Sequence, residues 1–257
     1  MDLFTIDSLI LLISAFVAGL VDAIVGGGGL IQLPAMMVYL PKEEMATVLG
    51  TNKFASFSGT SVSGIRFALR TKINWKATLP AIIFAIPFSF LGAFLVSQLS
   101  KEILKPLMLA LFLLVGLYTF FNRDFGNVSS QQPNLKKQLF YSCLIGALIG
   151  FYDGFFGPGT GSFLVFLYVA IFGFSFLQAS ASAKIVNMVT NFSALIYFFH
   201  NKQILFSVAI PVALSNIAGS FIGTNFAIKK GSSFVRIIFL LIVSGFIIKL
   251  AGEIFMA

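Results

Sequence analysis

Cysteine, histidine and tryptophan occur once each in these 257 residues, as Cys143, His200 and Trp75. One thiol, set inside an apolar run, excludes a disulfide framework and a cysteine-based metal site. Cys143 therefore reads as a small buried apolar residue. One imidazole excludes haem or zinc centres built on several soft ligands, so no metal and no other cofactor is expected. His200 lies near a helix end beside Lys202 and reads as interfacial rather than as a general base. With no nucleophile and base in view, the chain is not expected to be an enzyme. Charge is scarce too: 10% of the residues are charged, against about 25% in soluble domains.

Apolar residues take that room. They make up 58% of the chain, with 32 phenylalanines and a mean hydropathy of +0.98. A soluble fold of this length would have to keep too much apolar surface from water; lipid removes that requirement. The net charge of +8 looks like a nucleic-acid signal, yet the 17 Lys and Arg residues sit mostly in short breaks between apolar runs. That is a membrane-topology pattern and not a basic patch on a soluble face. A lipid bilayer is the expected partner, and nucleic acid is not.

The runs fall at 8–25, 29–40, 45–69, 77–97, 103–121, 138–152, 161–173, 178–199, 204–227 and 234–252. About 20 helical residues cross a hydrocarbon core of about 30 Å. Most runs are long enough, whereas 29–40 and 161–173 are short and adjoin glycine clusters, as half-helices or short tilted segments would. The first run is preceded by Asp2 and Asp7 rather than by a positive stretch, so it is read as part of the fold and not as a signal peptide.

The chain matches itself at a constant offset of 131 residues. The shift pairs Gly19 with Gly150, Asp22 with Asp153, Gly26 with Gly157, Gly28 with Gly159 and Lys53 with Lys184. It further pairs Ile73 with Ile204, Pro80 with Pro211, Ser89-Phe90 with Ser220-Phe221, Gly92 with Gly223 and Lys105 with Arg236. Asp, Lys, Pro and Gly coinciding at one offset point to duplication. The expected fold is an all-α polytopic transmembrane bundle of about 8–10 membrane segments, with short broken helices after the glycine-rich loops. It divides into a first repeat at 1–121, a polar cytoplasmic linker at 122–137 and a second repeat at 138–257.

If all five runs per half cross, the halves are inverted, and Lys and Arg outside the apolar body divide ten against five between the two faces. If the short runs re-enter, the halves are parallel and the division is nine against six. The positive-inside rule favours the inverted arrangement slightly.

Four of the 26 ionisable Asp, Glu, Lys and Arg residues fall within or at the edge of the apolar body: Asp22, Lys53, Asp153 and Lys184. A charge at that depth costs at least about 2.5–3.5 kcal/mol and by default marks a pathway or site. An Asp–Lys pair that only glues the bundle is the plainer alternative. The lysines lie among small and polar residues: Thr51 and Asn52 beside Lys53, and Asn187, Thr190 and Asn191 after Lys184. The aspartates open glycine-rich stretches, Asp22-Ala-Ile-Val-Gly-Gly-Gly-Gly29 and Asp153-Gly-Phe-Phe-Gly-Pro-Gly-Thr-Gly161. Such stretches hold a regular helix poorly. A helix starting there would aim free N–H groups at an anion. No strand precedes the glycines and no Gly-Lys-Ser/Thr follows them, so a nucleotide loop is set aside. The candidate substrate-binding residues are Lys53, Lys184, Thr51, Asn52, Asn187, Asn191, Gly27, Gly28, Gly159 and Thr160. Asp22 and Asp153 would fix the loops, balance the lysines or carry a coupling proton.

The segment Gly19-Leu-Val-Asp-Ala-Ile-Val-Gly-Gly-Gly-Gly-Leu-Ile-Gln-Leu-Pro34, followed by Gly50-Thr-Asn-Lys53, resembles the sulfite exporter TauE/SafE family of membrane permeases. So does Gly150-Phe-Tyr-Asp-Gly-Phe-Phe-Gly-Pro-Gly-Thr-Gly-Ser-Phe163 followed by Lys184 and Asn187. The resemblance extends over nearly the whole chain. It implies a bacterial cytoplasmic-membrane transporter of small anions such as sulfite, sulfoacetate, thiosulfate or related organosulfur and carboxylate anions. A coupling proton or cation would then be a further partner, and self-association stays open. The second half departs from the first in having Ala183 where the first has Asn52. Two other functions compete: an anion channel, and a membrane-embedded enzyme, which activity dependent on His200 would reveal.

Overall fold

The computed structural model describes residues 6–99 and 133–255. The expected run 103–121, the linker up to residue 132 and the pairing of Lys105 with Arg236 lie outside the described residues or their side chains.

Every described element is a helix. They are α1 (Ile6–Val25), α2 (Gly29–Tyr39), α3 (Met45–Arg70), α4 (Trp75–Ser97), α5 (Leu135–Phe155), α6 (Thr160–Phe172), α7 (Phe176–His200) and α8 (Phe206–Phe255). The last is broken at Gly231, where φ 74° and ψ −166° leave the helical region. Among the described residues, three stretches are long and apolar enough to cross a membrane: α1, α4 and Phe206–Gly231 of α8. Side-chain caps set several of the starts. Asn74 accepts from the Ala77 amide at α4, Asn134 from Lys137 at α5, and Ser175 from Gln178 at α7, each satisfying a free first-turn N–H.

The described surface is largely apolar, while a group of polar and charged side chains is buried among the helices. Ile83, Phe84 and Phe94 of α4, Phe140 and Leu148 of α5, and Ile210, Leu214 and Phe226 of α8 are all exposed. Asn52, Lys53, Asp153, Lys184, Asn187 and Asn191 are buried. Two apolar clusters occupy the interior. One gathers Val25, Phe67, Leu164, Tyr168 and Phe172; the other gathers Leu33, Met36, Leu49, Phe156 and Phe198.

Close backbone contacts fix the helix directions. Gly146, Gly150 and Gly154 of α5 face Ala81, Ala85 and Ser89 of α4 in rising order, so these helices run parallel. A Cβ on Gly154 would stand 1.9 Å from the Ser89 carbonyl oxygen; small residues permit such approach. Gly19, Gly219 and Gly223 form the equivalent seam between α1 and α8. α3 and α7 run antiparallel: Gly50 meets Phe198, Lys53 meets Asn191, and Gly64 meets Ile185.

α2 and α6 have 11 and 13 residues, about 17 and 20 Å of helix, and neither alone crosses a core of about 30 Å. α2 doubles back along α1, for the Tyr39 hydroxyl at its end lies 3.0 Å from Ser8 Oγ at the start of α1. The chain thereby returns to the face on which α1 began, and α3 starts there.

Candidate functional site

Glycine chemistry breaks the chain in the middle of the protein. Gly26 adopts φ 85°, Gly157 φ 95° and Gly159 φ 84°, conformations open to residues without a Cβ. The two breaks touch. A Cβ on Gly26 would lie 2.2 Å from the carbonyl carbon of Gly161, and one on Gly161 would lie 2.4 Å from Gly26 Cα. The second break is tied to the first, since Ser162 donates its amide to Gly26 O at 3.2 Å and its hydroxyl to Val25 O at 3.0 Å. Among the described residues, the amides of Gly27, Gly28, Gly29, Gly159 and Gly161 find no carbonyl acceptor.

The four buried charges pair across the two halves of the chain. Lys53 Nζ of α3 stands 2.9 Å from Asp153 Oδ2 of α5. Lys184 Nζ of α7 stands 2.7 Å from Asp22 Oδ2 of α1. Lys53 also donates to Asn191 Oδ1 at 3.1 Å, and Asn191 Nδ2 donates to Asn187 Oδ1 at 2.8 Å. Only Asp22 is appreciably open, with 14% of its side chain exposed, while Lys184 keeps 1%.

Between the pairs lies a small cavity walled by Asp22, Asn52, Lys53, Asp153, Asn187 and Asn191, with Ser56, Thr60, Gly26, Gly29 and Gly157 completing it. Its volume is about 20 Å³, room for about one water. The cavity is too small for an anion larger than that and must widen to admit one.

The expected site residues therefore separate. Lys53, Asn52, Asn187 and Asn191 share the cavity wall with both aspartates. Lys184 holds Asp22 from behind the wall. Thr51 points elsewhere: it accepts from the Leu205 amide at 3.0 Å, tying α3 to the start of α8, and donates to Thr47 O. Thr160 closes its own turn by donating to Gly157 O at 2.7 Å. Gly28 packs on α1, where a Cβ would meet Ala18 O at 2.3 Å, and Gly27 and Gly159 lie in the breaks without lining the cavity. Gly26, Gly29 and Gly157 line it instead. Ser56 and Thr60 also face the cavity unforeseen; both follow Lys53 on one helix at nearly whole turns, a spacing that could have singled them out.

An all-helical body with an apolar exterior, two glycine-broken half-helices and lysines buried beside the breaks has the build of a membrane transporter. Comparison with known proteins agrees. Residues 11–250 match the family model described as Sulfite exporter TauE/SafE, and the chain belongs to that family. A probable membrane transporter protein of Sinorhizobium is 32% identical over 244 residues, covering 95% of this chain and 92% of its own. One from Haemophilus influenzae is 33% identical over 227 residues, 88% of each chain. One from Escherichia coli is 29% identical over 238 residues, 91% of this chain and 87% of its own. No solved structure matches the chain.

Proposed function

We propose that this membrane transporter is a secondary carrier of small anions such as sulfite, organosulfonates or related organic anions, working in the bacterial cytoplasmic membrane. One observation carries the anion assignment: Lys53, 2% exposed, forms part of a cavity wall at the meeting point of the two glycine breaks. An ammonium group in that setting is retained at a cost and supplies charge-assisted hydrogen bonds to an oxyanion. Unpaired amides of the breaks add donors close by. Lys184 acts one step removed, neutralising Asp22 on the wall. Asp22 and Asp153 are the groups through which a coupling proton or cation would act. A cavity of about 20 Å³ that does not continue as a wide channel supports a carrier over an open pore.

The two halves, in this proposal, are inverted repeats. Helices α2, α3 and α4 start at residues 29, 45 and 75, and α6, α7 and α8 at 160, 176 and 206, each 131 later. The matched helices α3 and α7 run antiparallel. α1 packs on α8, and their counterparts α5 and α4 pack on each other in the same way, so each half completes the other, and rocking of one against the other would expose the cavity alternately.

Reconstitution into liposomes with labelled sulfite, thiosulfate and sulfoacetate tests the function. Saturable uptake that is accelerated by unlabelled anion on the opposite side is expected of the carrier. Non-saturating conductance without counterflow would replace it with a channel, and absence of anion flux would remove both.

A further inference from the structure

A row of buried side-chain amides leads away from the cavity, each accepting from the next. Gln32 of α2 donates from Nε2 to Asn52 Oδ1 at 2.9 Å. The same nitrogen faces the backbone carbonyl of Asn52 at 3.5 Å, a group that only accepts, which sets which end of Gln32 points there. Gln32 Oε1 in turn accepts from Asn216 Nδ2 of α8 at 2.6 Å. Gln32 and Asn216 are 1% and 4% exposed and do not line the cavity. Because the carbonyl of Asn52 is taken by Gln32, its amino group is the end left for the cavity.

The opposite wall has the same logic with a different anchor. A lysine ammonium only donates, so Asn191 must turn its oxygen to Lys53 and its nitrogen to Asn187. Asn187 Oδ1 is thereby used, and its amino group is left. Among the described residues, neither Asn52 Nδ2 nor Asn187 Nδ2 meets an acceptor. Lys53 has three N–H bonds; Asn191 and Asp153 occupy two of its sides.

We infer that Gln32 and Asn216 are positioning residues that hold Asn52 with its N–H₂ group toward the cavity, so that Asn52, Asn187 and Lys53 together present three separate donors to an anion with several oxygens. This rests on the anion transport proposed above. Three donors on two opposed walls match an oxoanion, whose oxygens accept separately, better than a single-atom halide. The relay exists once. At the 131-residue offset, Gln32, Asn52 and Asn216 correspond to Phe163, Ala183 and Ala85. The relay of α2, α3 and α8 that orients Asn52 therefore has no amide counterpart at positions 163, 183 and 85.

Asn216→Asp tests this two residues away from the substrate. In its ionised form, which the Ser220 hydroxyl supports as donor to one oxygen, an aspartate at 216 only accepts, so Gln32 turns its nitrogen to it and its oxygen to Asn52. Asn52 then donates to Gln32 and shows its own carbonyl to the cavity. In proteoliposomes, with whichever of labelled sulfite, thiosulfate or sulfoacetate the wild type moves fastest, Asn216→Asp is expected to raise KM roughly 10- to 100-fold with little change in maximal rate. Asn52→Ala should raise KM by a similar factor. In the Asn52→Ala background, Asn216→Asp should add nothing, because no amide remains to flip. A residue that mattered only for folding would add its effect in both backgrounds. Unchanged KM in Asn216→Asp, or full additivity in the double variant, overturns the relay while leaving anion transport intact. Failure of the wild type to move any of the anions overturns the transport function and the relay with it.

Discussion

Lys53 and Asp153 meet at 2.9 Å from opposite halves of the chain, each side chain 3% exposed. The contact joins α3 to the glycine break after α5, so one ion pair both welds the halves and walls the cavity. An anion that binds Lys53 must compete with Asp153 for the same ammonium group.

Removing one partner of that pair leaves an uncompensated charge in a dry site, which costs about 3–5 kcal/mol. Lys53→Met should therefore melt well below the wild type in detergent. Lys53→Met with Asp153→Asn, which removes both charges, should regain most of the lost stability. Equal melting of the single and double variants would show that the pair carries no such energy.

Gly26→Ala and Gly161→Ala should each destabilise the protein by at least about 2 kcal/mol. Each new methyl group would enter backbone of the other break at 2.2–2.4 Å, and Gly26 adds the strain of φ 85°. Thermal unfolding of the purified variants measures this; a loss below about 0.5 kcal/mol would mean that the breaks do not pack as described.

Thr51→Val distinguishes a structural from a ligand-binding threonine. The Leu205 amide loses its 3.0 Å acceptor, at a cost of about 1 kcal/mol. KM for the transported anion should stay at the wild-type value. A large rise in KM at unchanged stability would return Thr51 to the binding site.

Topology is open to direct labelling. α3 and α8 run parallel, with Gly50 near Gln203 and Gly59 near Asn216, so the loops after residues 70 and 230 share a face. In a Cys143→Ala background, single cysteines at 72 and 229 should react with a membrane-impermeant thiol reagent only from the cytoplasmic side. Cysteines at 42 and 202 should react only from outside. The same sidedness for all four would contradict inverted halves.

Much of the fold was legible because apolar runs and glycine breaks are local signals. The short run 29–40 became α2 at Gly29–Tyr39, and 161–173 became α6 at Thr160–Phe172. α4 begins at Trp75 rather than at 77 because Asn74 caps it, a polar residue that hydropathy alone passes over. Lys53, Asp22 and Asp153 stood out by charge and do share the cavity. Their crossed pairing did not, since which Lys meets which Asp depends on long-range packing of α3 on α5 and α7 on α1. Gln32 and Asn216 were overlooked because a search for charge ignores neutral amides. A lone amide inside an apolar run carries a smaller version of the same burial cost and was the signal available.

Flux through the charge-neutral double variants tests the central claim most directly. With the best-transported anion of the sulfite, thiosulfate and sulfoacetate panel, Lys53→Met with Asp153→Asn should fold, insert and carry no more anion than empty liposomes. Lys184→Met with Asp22→Asn, which leaves Lys53 in place, should retain measurable transport. Wild-type flux in the Lys53 double variant at wild-type stability would show that the buried ammonium at 53 does not meet the substrate.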